Sequence, residues 1–580
     1  MRYQRSPLRG LDTGADGRLP AGNRLPERVA SISIFWARQR LIGINGVFLS
    51  FKGQSRMGRH AFSTVASGSL GIFAGVVLDM IVVAMFGMSW RTDAYFIAVT
   101  IPLVIITLMM LQATRVVQPL FINKRQTQGE HEGWNYLNLI MTGGTAIVAA
   151  CSAVGVLLSP LLMRLQAAGS ANDETLLATR LSMCLFLILP LNFPVVIMRA
   201  ALQSFGIFAL PGSMKFFESS FKILLLLSVG RKLGVEALVW GTLAGTLFEV
   251  LVSYLVLRAK GFRFHSVWRL KHPDMIQAYT LMIFPLAGQA CAVGVESLTN
   301  ALGSMLGPGN VTALRLATRI IESFAGLLVG SIVIAAMPTI AESVATRDSE
   351  ATRKHLQHGL YLLLLVSIPF SIWLAMVNQP LISLLYERAN FSAADTTLVA
   401  NILLMMIPYL FLGRFRGLLE LPFFAEQDTK TPVLSAMVSA TLFVATSFFL
   451  VRIAGVYGIP LGRSFGYGIG AWFLIHLLRR RIGKIGFGAV RDVSIRICGA
   501  SLIMAVFIWV GNWLAVLIPL HAIAAKATAL ALPTALGSGA LILSLFLLRV
   551  LDPALIKRAR VAMERRTGHW LVLNRTPRSL

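Results

Sequence analysis

The sequence predicts an all-α protein that crosses a membrane many times, and three observations carry that prediction. Hydrophobic residues make up 56% of the 580 positions and charged residues only 14%, against roughly 25% charged in a soluble chain. The apolar residues come in blocks of about 20, the length that crosses a bilayer as a helix. Lys and Arg gather in the loops between blocks and in the two tails, as the positive-inside bias requires. A backbone in lipid must satisfy its own hydrogen bonds, so each block reads as a helix. The alternation of a membrane barrel is absent.

About fourteen spans are expected, near 62–86, 94–122, 136–163, 178–205, 208–230, 235–257, 276–301, 312–338, 358–386, 396–425, 432–452, 457–478, 495–519 and 524–550. One set of loops carries Lys124 and Arg125; Arg258, Lys260, Arg263, Arg269 and Lys271; Arg347, Arg353 and Lys354; and Arg479, Arg480, Arg481 and Lys484. The alternate set holds only Arg91, Arg164, Arg231, Lys232, Arg388 and Arg452. Both termini are therefore expected in the cytoplasm. The net charge of +27 is loop and tail charge, not a basic surface interleaved with aromatics, so no nucleic-acid partner is expected.

The chain repeats itself at an offset near 220 residues. Gly87 recurs as Gly307, Pro119 as Pro338, Pro160 as Pro380 and Pro190 as Pro408. Gly234-Val235, Gly241, Gly245 and Leu257-Arg258 recur as Gly455-Val456, Gly462, Gly466 and Leu478-Arg479. Gly and Pro are common in membrane helices, but a constant offset across so many is not chance. Two six-span repeats form an N-lobe over 61–260 and a C-lobe over 276–485, followed by two further helices over 490–552. That is a transporter architecture, with the substrate cavity between the lobes. Residues 1–60 read as a basic, disordered extension, with Met57 an alternative start, and 553–580 as a basic cytoplasmic tail. Cys151, Cys184, Cys291 and Cys498 lie inside apolar blocks without close spacing, and read as small core residues, not as disulfides or metal ligands.

No phosphate-binding loop, metal-spaced His/Cys cluster or nucleotide-binding domain is present, so neither enzyme activity nor a cofactor is expected. Transport would draw on an ion gradient, the membrane potential or the substrate gradient. Ionisable residues inside spans are costly and mark function by default. Arg315, Arg319 and Glu322 share one face of a helix through spacings of four and three. Arg there would grip a diphosphate through its planar fork of donors; the plainer alternative is an Arg319–Glu322 pair with Arg315 snorkelling outward. Arg199, and Arg414 with Arg416, follow the repeated prolines by six to nine residues, so a kink could turn them inward. Glu420 offers Arg416 a local partner. Asp79 sits mid-span as an ion-coupling candidate, or as one half of an inter-helix pair within the first lobe. Lys215, Glu218 and Lys222 form a further charged face. Arg115 and Gln118 read as interface anchors.

Phe86-Gly87, Thr92-Asp93-Ala94-Tyr95-Phe96 and Ile101-Pro102 resemble the opening signature of the MurJ/MviN-type lipid II flippases. So do Glu387-Arg388, Phe391-Ser392-Ala393 with Asp395, and Gln427-Asp428-Thr429-Lys430-Thr431-Pro432. The resemblance runs from about residue 62 to 485 and extends to the wider multidrug/oligosaccharidyl-lipid/polysaccharide exporter superfamily. It implies fourteen helices, two lobes around a central cavity, alternating access, a lipid-linked saccharide as substrate and a bacterial inner-membrane location. It also implies that Arg319 and Glu322 match charged cavity positions. The family's usual arginines in the first two helices are replaced here by Ile72, Leu78 and Ile106-Thr107, and the usual Asn after the proline by Leu103. The expected function is a flippase for lipid II or another polyprenyl-diphosphate glycan. The alternatives are a cation-coupled drug exporter and a non-transporting scaffold in envelope synthesis.

Overall fold

The computed structural model describes residues 55–550 apart from 270, 327–329, 484, 487, 519–521 and 549. The chain divides into two units, 1–58 and 59–580, and the fold is that of the second. The extension expected over 1–60 lies almost wholly outside the described residues, and the tail expected over 553–580 entirely so. Helices succeed one another, joined by short turns except for the longer connection 259–272: α1 Ser55–Phe86, α2 Trp90–Gln112, α3 Gln118–Thr127, α4 Glu130–Gln166, α5 Asn172–Ser204, α6 Ala209–Leu233, α7 Glu236–Arg258 and α8 Pro273–Ser304. Then come α9 Asn310–Phe324, α10 Gly330–Ala345, α11 Ser349–Tyr386, α12 Ala393–Ala425, α13 Lys430–Ala454, α14 Gly458–Ile482, α15 Gly488–Leu517 and α16 Ala522–Leu547. A π-helical turn, Ala113–Val117, joins α2 to α3.

Among the described residues, ten helical stretches are long and apolar enough to cross a membrane, and one of them, Lys430–Ile482, holds both α13 and α14. The expected spans at 208–230, 276–301 and 312–338 are not among the ten. The first carries Lys215, Glu218 and Lys222 along its helix, and the last includes residues 327–329, which lie outside the described residues. The last is described as two helices, α9 and α10, of 15 and 16 residues. Several helices outrun the apolar block that announces them: α4 begins at Glu130 and α11 at Ser349. Their polar first turns continue the helix beyond the bilayer, where length is no longer set by hydrocarbon thickness.

The sequence repeat reappears as repeated packing. In the N-terminal half α4 packs on α5, α6 on α7, α2 on α5 and α5 on α7; in the C-terminal half α11 packs on α12, α13 on α14, α9 on α12 and α12 on α14. The repeated glycines explain one of these pairings. A methyl group on Gly241 would come within 2.6 Å of the Lys222 backbone, and one on Gly245 within 2.9 Å of that of Glu218. At the equivalent places Gly462 faces Ser447 and Gly466 faces Ser439. Small residues let α6 approach α7, and α13 approach α14, at backbone distance. Gly234 and Gly455 both end a helix at positive φ, +62° and +57°, a conformation that costs glycine nothing.

Several motif residues that carry the family resemblance cap helices. Ser392 and Asp395 form a reciprocal capping box at the start of α12. The Asp428 carboxylate accepts from the Lys430 and Thr431 backbone N–H groups at 3.1 and 3.0 Å and from the Thr431 hydroxyl at 2.7 Å, opening α13. α15 and α16 pack on each other and on α11, where Trp373 Nε1 donates to Thr534 Oγ1 at 3.0 Å.

One expectation is corrected: Cys151, Cys184 and Cys498 are exposed and Cys291 half-buried, none of them in the core. In a bilayer an apolar block needs no buried face, so hydrophobicity does not point a side chain inward.

Candidate functional site

The two halves meet at the helix ends opposite the Lys/Arg-rich loops. Asp93, in the first turn of α2 and only 1% exposed, reaches across to the start of α9. Its carboxylate accepts from the Gly309 and Thr312 backbone N–H groups at 2.6 and 2.7 Å and from the Thr312 hydroxyl at 2.5 Å. A carboxylate on the exposed N–H groups of a helix N-terminus is favoured by hydrogen bonding and by the helix dipole together. Asn300 on α8 donates to Thr100 Oγ1 and Gln166 Oε1 at 2.9 and 3.1 Å, and Asn390 Nδ2 donates to the Met85 carbonyl at 2.7 Å. Gly87 and Gly309 permit this closure, since a methyl on either would strike the Asn390 or the Met88 carbonyl oxygen at 2.8 or 2.9 Å.

One to two turns deeper, the halves exchange charge. Arg319 on α9 stands 3.5 Å from the Asp79 carboxylate on α1. The guanidinium lies directly on Gly75, one turn before Asp79, where any Cβ would displace it. The pair expected for Asp79 within the first lobe is therefore made across the two halves instead. An internal Arg319–Glu322 pair is not made either.

The α6 face joins this cluster. Lys222 donates to Glu218 at 2.6 Å, and the fields of Arg319, Arg315 and Lys222 all act on Asp79. Lys215 feels Glu218, Arg319 and Arg199, while Arg199 on α5 is paired with Glu249 on α7. Five cations (Arg199, Lys215, Lys222, Arg315 and Arg319) and three carboxylates, Asp79, Glu218 and Glu249, are thus linked in a chain of electrostatic contacts through Asp79, Lys215 and Glu249. Arg315 and Lys215 make no ion pair among the described residues, and Lys215 is exposed. The N-terminal half, short of arginine in its first two helices, draws its cations from α5 and α6.

The remaining candidates form a second, self-contained cluster in the C-terminal half. Glu322 accepts from the Tyr409 hydroxyl at 2.8 Å and from Arg414 at 3.0 Å. Arg416 is paired with Glu420 at 2.9 Å and lies over the Tyr467 ring. Arg463 on α14, 3% exposed, is paired with Glu296 on α8 and lies over the Tyr409 ring at 5.2 Å. A cavity of about 170 Å³ lies among Glu322, Tyr409, Arg414 and Tyr467. Arg199, Glu322 and Arg416 are thus each held by a partner within their own half.

Sequence reading passed over Glu249, Glu296, Arg463 and Tyr409. The first three were signalled as ionisable residues inside apolar spans; Tyr409 carried no such signal. Arg115 is exposed. Among the described residues no cluster of His, Cys, Asp or Glu could hold a metal ion.

A family model described as "Lipid II flippase MurJ" matches residues 82–523. The chain belongs to the MurJ lipid II flippase family. A probable lipid II flippase MurJ of Buchnera aphidicola (subsp. Acyrthosiphon pisum) is 23% identical over 420 residues, 70% of this chain and 80% of that one. The lipid II flippase MurJ of Burkholderia cenocepacia is 24% identical over 445 residues, 74% and 85% of the two chains. Among solved structures, a lipid II flippase MurJ in an inward closed conformation superposes with a TM-score of 0.67 at 19% identity, covering 84% of this chain and 97% of that one. An inward-facing multidrug resistance MATE family transporter of the MOP superfamily gives 0.56 at 14% identity, covering 72% and 99%. As a member of the MurJ family the chain is a multi-pass inner-membrane transporter, and its fold is the one shared by MurJ and MATE structures.

Proposed function

We propose that this MurJ-family chain moves a polyprenyl-diphosphate-linked saccharide, lipid II or a close relative, from the cytoplasmic to the outer leaflet by alternating access. The observation that carries the reading is the Asp79–Arg319 ion pair between α1 and α9, set among five cations and three carboxylates. Such a cluster holds an excess of positive charge in a place where uncompensated charge is costly. A diphosphate would supply the missing negative charge, and Arg319 and Arg315 could meet it with forked donors. A cation-coupled drug exporter would want the opposite balance.

In this reading Asp79 and the anionic substrate compete for Arg319. Substrate entry loosens the pair between the halves, and that coupling drives the change of access. Both termini lie in the cytoplasm, and the hydrogen-bonded closure around Asp93 faces the outside. A monovalent cation or the membrane potential supplies the driving force, with Asp79 as the ion-coupling candidate once Arg319 is engaged elsewhere.

The test is depletion and rescue in cells whose own lipid II flippase is switched off. The chain is expected to restore growth. Arg319→Ala is expected to fail at normal membrane abundance, and Arg319→Lys, which keeps charge but loses the fork, to rescue poorly. Normal rescue by Arg319→Ala would refute the assignment. Reporters at either terminus are expected to read cytoplasmic, and one between residues 302 and 311 to read outside.

A further inference from the structure

A second cavity is lined by none of the central charges. It measures about 620 Å³ and sits where the end of α1, the starts of α2, α5 and α7 and the end of α6 converge. Four cations line it, Arg91, Arg180, Arg231 and Lys232, against two carboxylates, Asp173 and Glu236. All six are exposed, and none makes an ion pair among the described residues. Arg91 is held over the Trp90 ring at 5.3 Å, so its charge is fixed at the rim.

This placement runs against the bias that shapes the rest of the chain. The loops at this end hold only six Lys or Arg residues, and three of them, Arg91, Arg231 and Lys232, line this one cavity. The walls are also apolar on one flank. Leu176 and Leu233 line the cavity and are 52% and 40% exposed. Trp90 lines the cavity too, and an amphipathic ring of this kind suits the headgroup level. A soluble anion would gain nothing from that apolar flank; a molecule with a phosphate head and an acyl tail uses both surfaces.

We propose that this cavity binds the headgroup of an anionic phospholipid, of the phosphatidylglycerol type, drawn from the leaflet at this end of the molecule. The phosphate sits among Arg91, Arg180 and Arg231, and one acyl chain leaves along Leu176. The cavity touches α1, α2, α5, α6 and α7 at once, so an occupied site ties the N-terminal half together at its rim. The assignment to the outer leaflet rests on the orientation proposed above; binding itself does not.

The experiment uses the full-length chain in vesicles and reads the fluorescence of Trp90, isolated by subtracting the Trp90→Phe variant. Brominated phosphatidylglycerol is expected to quench it at a several-fold lower mole fraction than brominated phosphatidylcholine. The Arg180→Gln/Arg231→Gln double variant is expected to lose that preference entirely, since each cation contributes about fivefold and the two together exceed it. Should that variant fail to fold, Arg91→Gln/Lys232→Gln takes its place. Equal quenching by both lipids, or an unchanged preference in the double variant, would overturn the proposal. So would loss of the preference on adding millimolar inorganic phosphate, which would assign the cavity to a soluble anion. The terminal reporters decide the orientation separately, so failure of the topology and failure of lipid binding give different results.

Discussion

Alanine at Gly75 adds one methyl group to α1 and changes no charge, yet it should disable the central ion pair. The added carbon would overlap the Arg319 guanidinium, and ordinary contact begins near 3.4 Å. Arg319 must therefore back away from α1. Asp79 lies one turn further along the same face, so the present 3.5 Å separation widens to roughly 5 Å. With an effective dielectric of about 20, the attraction falls from about 5 to about 3 kcal/mol. That difference is on the order of a tenfold shift in how firmly the halves are paired. The assay is growth rescue in flippase-depleted cells, normalised to the amount of protein in the membrane. Gly75→Ala is expected to insert normally and to rescue poorly. Asp79→Asn is expected to produce a comparable defect, and the double variant to be no worse than either alone, because all of them break one interaction. Full rescue by Gly75→Ala, or defects that add, would refute the placement of Arg319 against α1 as a working contact.

The geometry sets three further outcomes. Cysteines at Thr100 and Asn300, in a background without the native cysteines, are expected to cross-link and to block transport until reductant is added, since the native side chains touch at 2.9 Å; a cross-linked but active protein would mean that this end never opens. Glu322→Ala and Arg414→Ala are expected to lower thermal stability non-additively, because they share a 3.0 Å pair. Burial alone would raise the Asp428 carboxyl, but the Thr431 and Arg481 donors outweigh it and hold its pKa below the ordinary 3.8. The carboxylate therefore stabilises the fold at neutral pH and loses that contribution as pH falls below about 4. Asp428→Asn is accordingly expected to melt lower than the parent at pH 7, with the gap closing in acid.

Composition and periodicity determined the class of this protein. Apolar blocks of membrane length leave the backbone no alternative to helix, and the constant offset between Gly234 and Gly455, or Gly241 and Gly462, marked two copies of one packing unit. The family motifs could be read as well, because caps such as Ser392–Asp395 and Asp428–Thr431 are local, closed within a few residues of chain. Tertiary structure alone decided which charges meet. Arg319 had Glu322 three residues away and chose Asp79, some 240 positions distant, because α1 offers a glycine for its guanidinium to rest on. Glu322 in turn found Arg414 and Tyr409 on α12. A helical face tells which residues point the same way, but partner choice depends on what the opposing helix presents. For the same reason the cysteines and many leucines turned outward: in a bilayer, hydrophobicity no longer distinguishes the core from the surface, and only packing does.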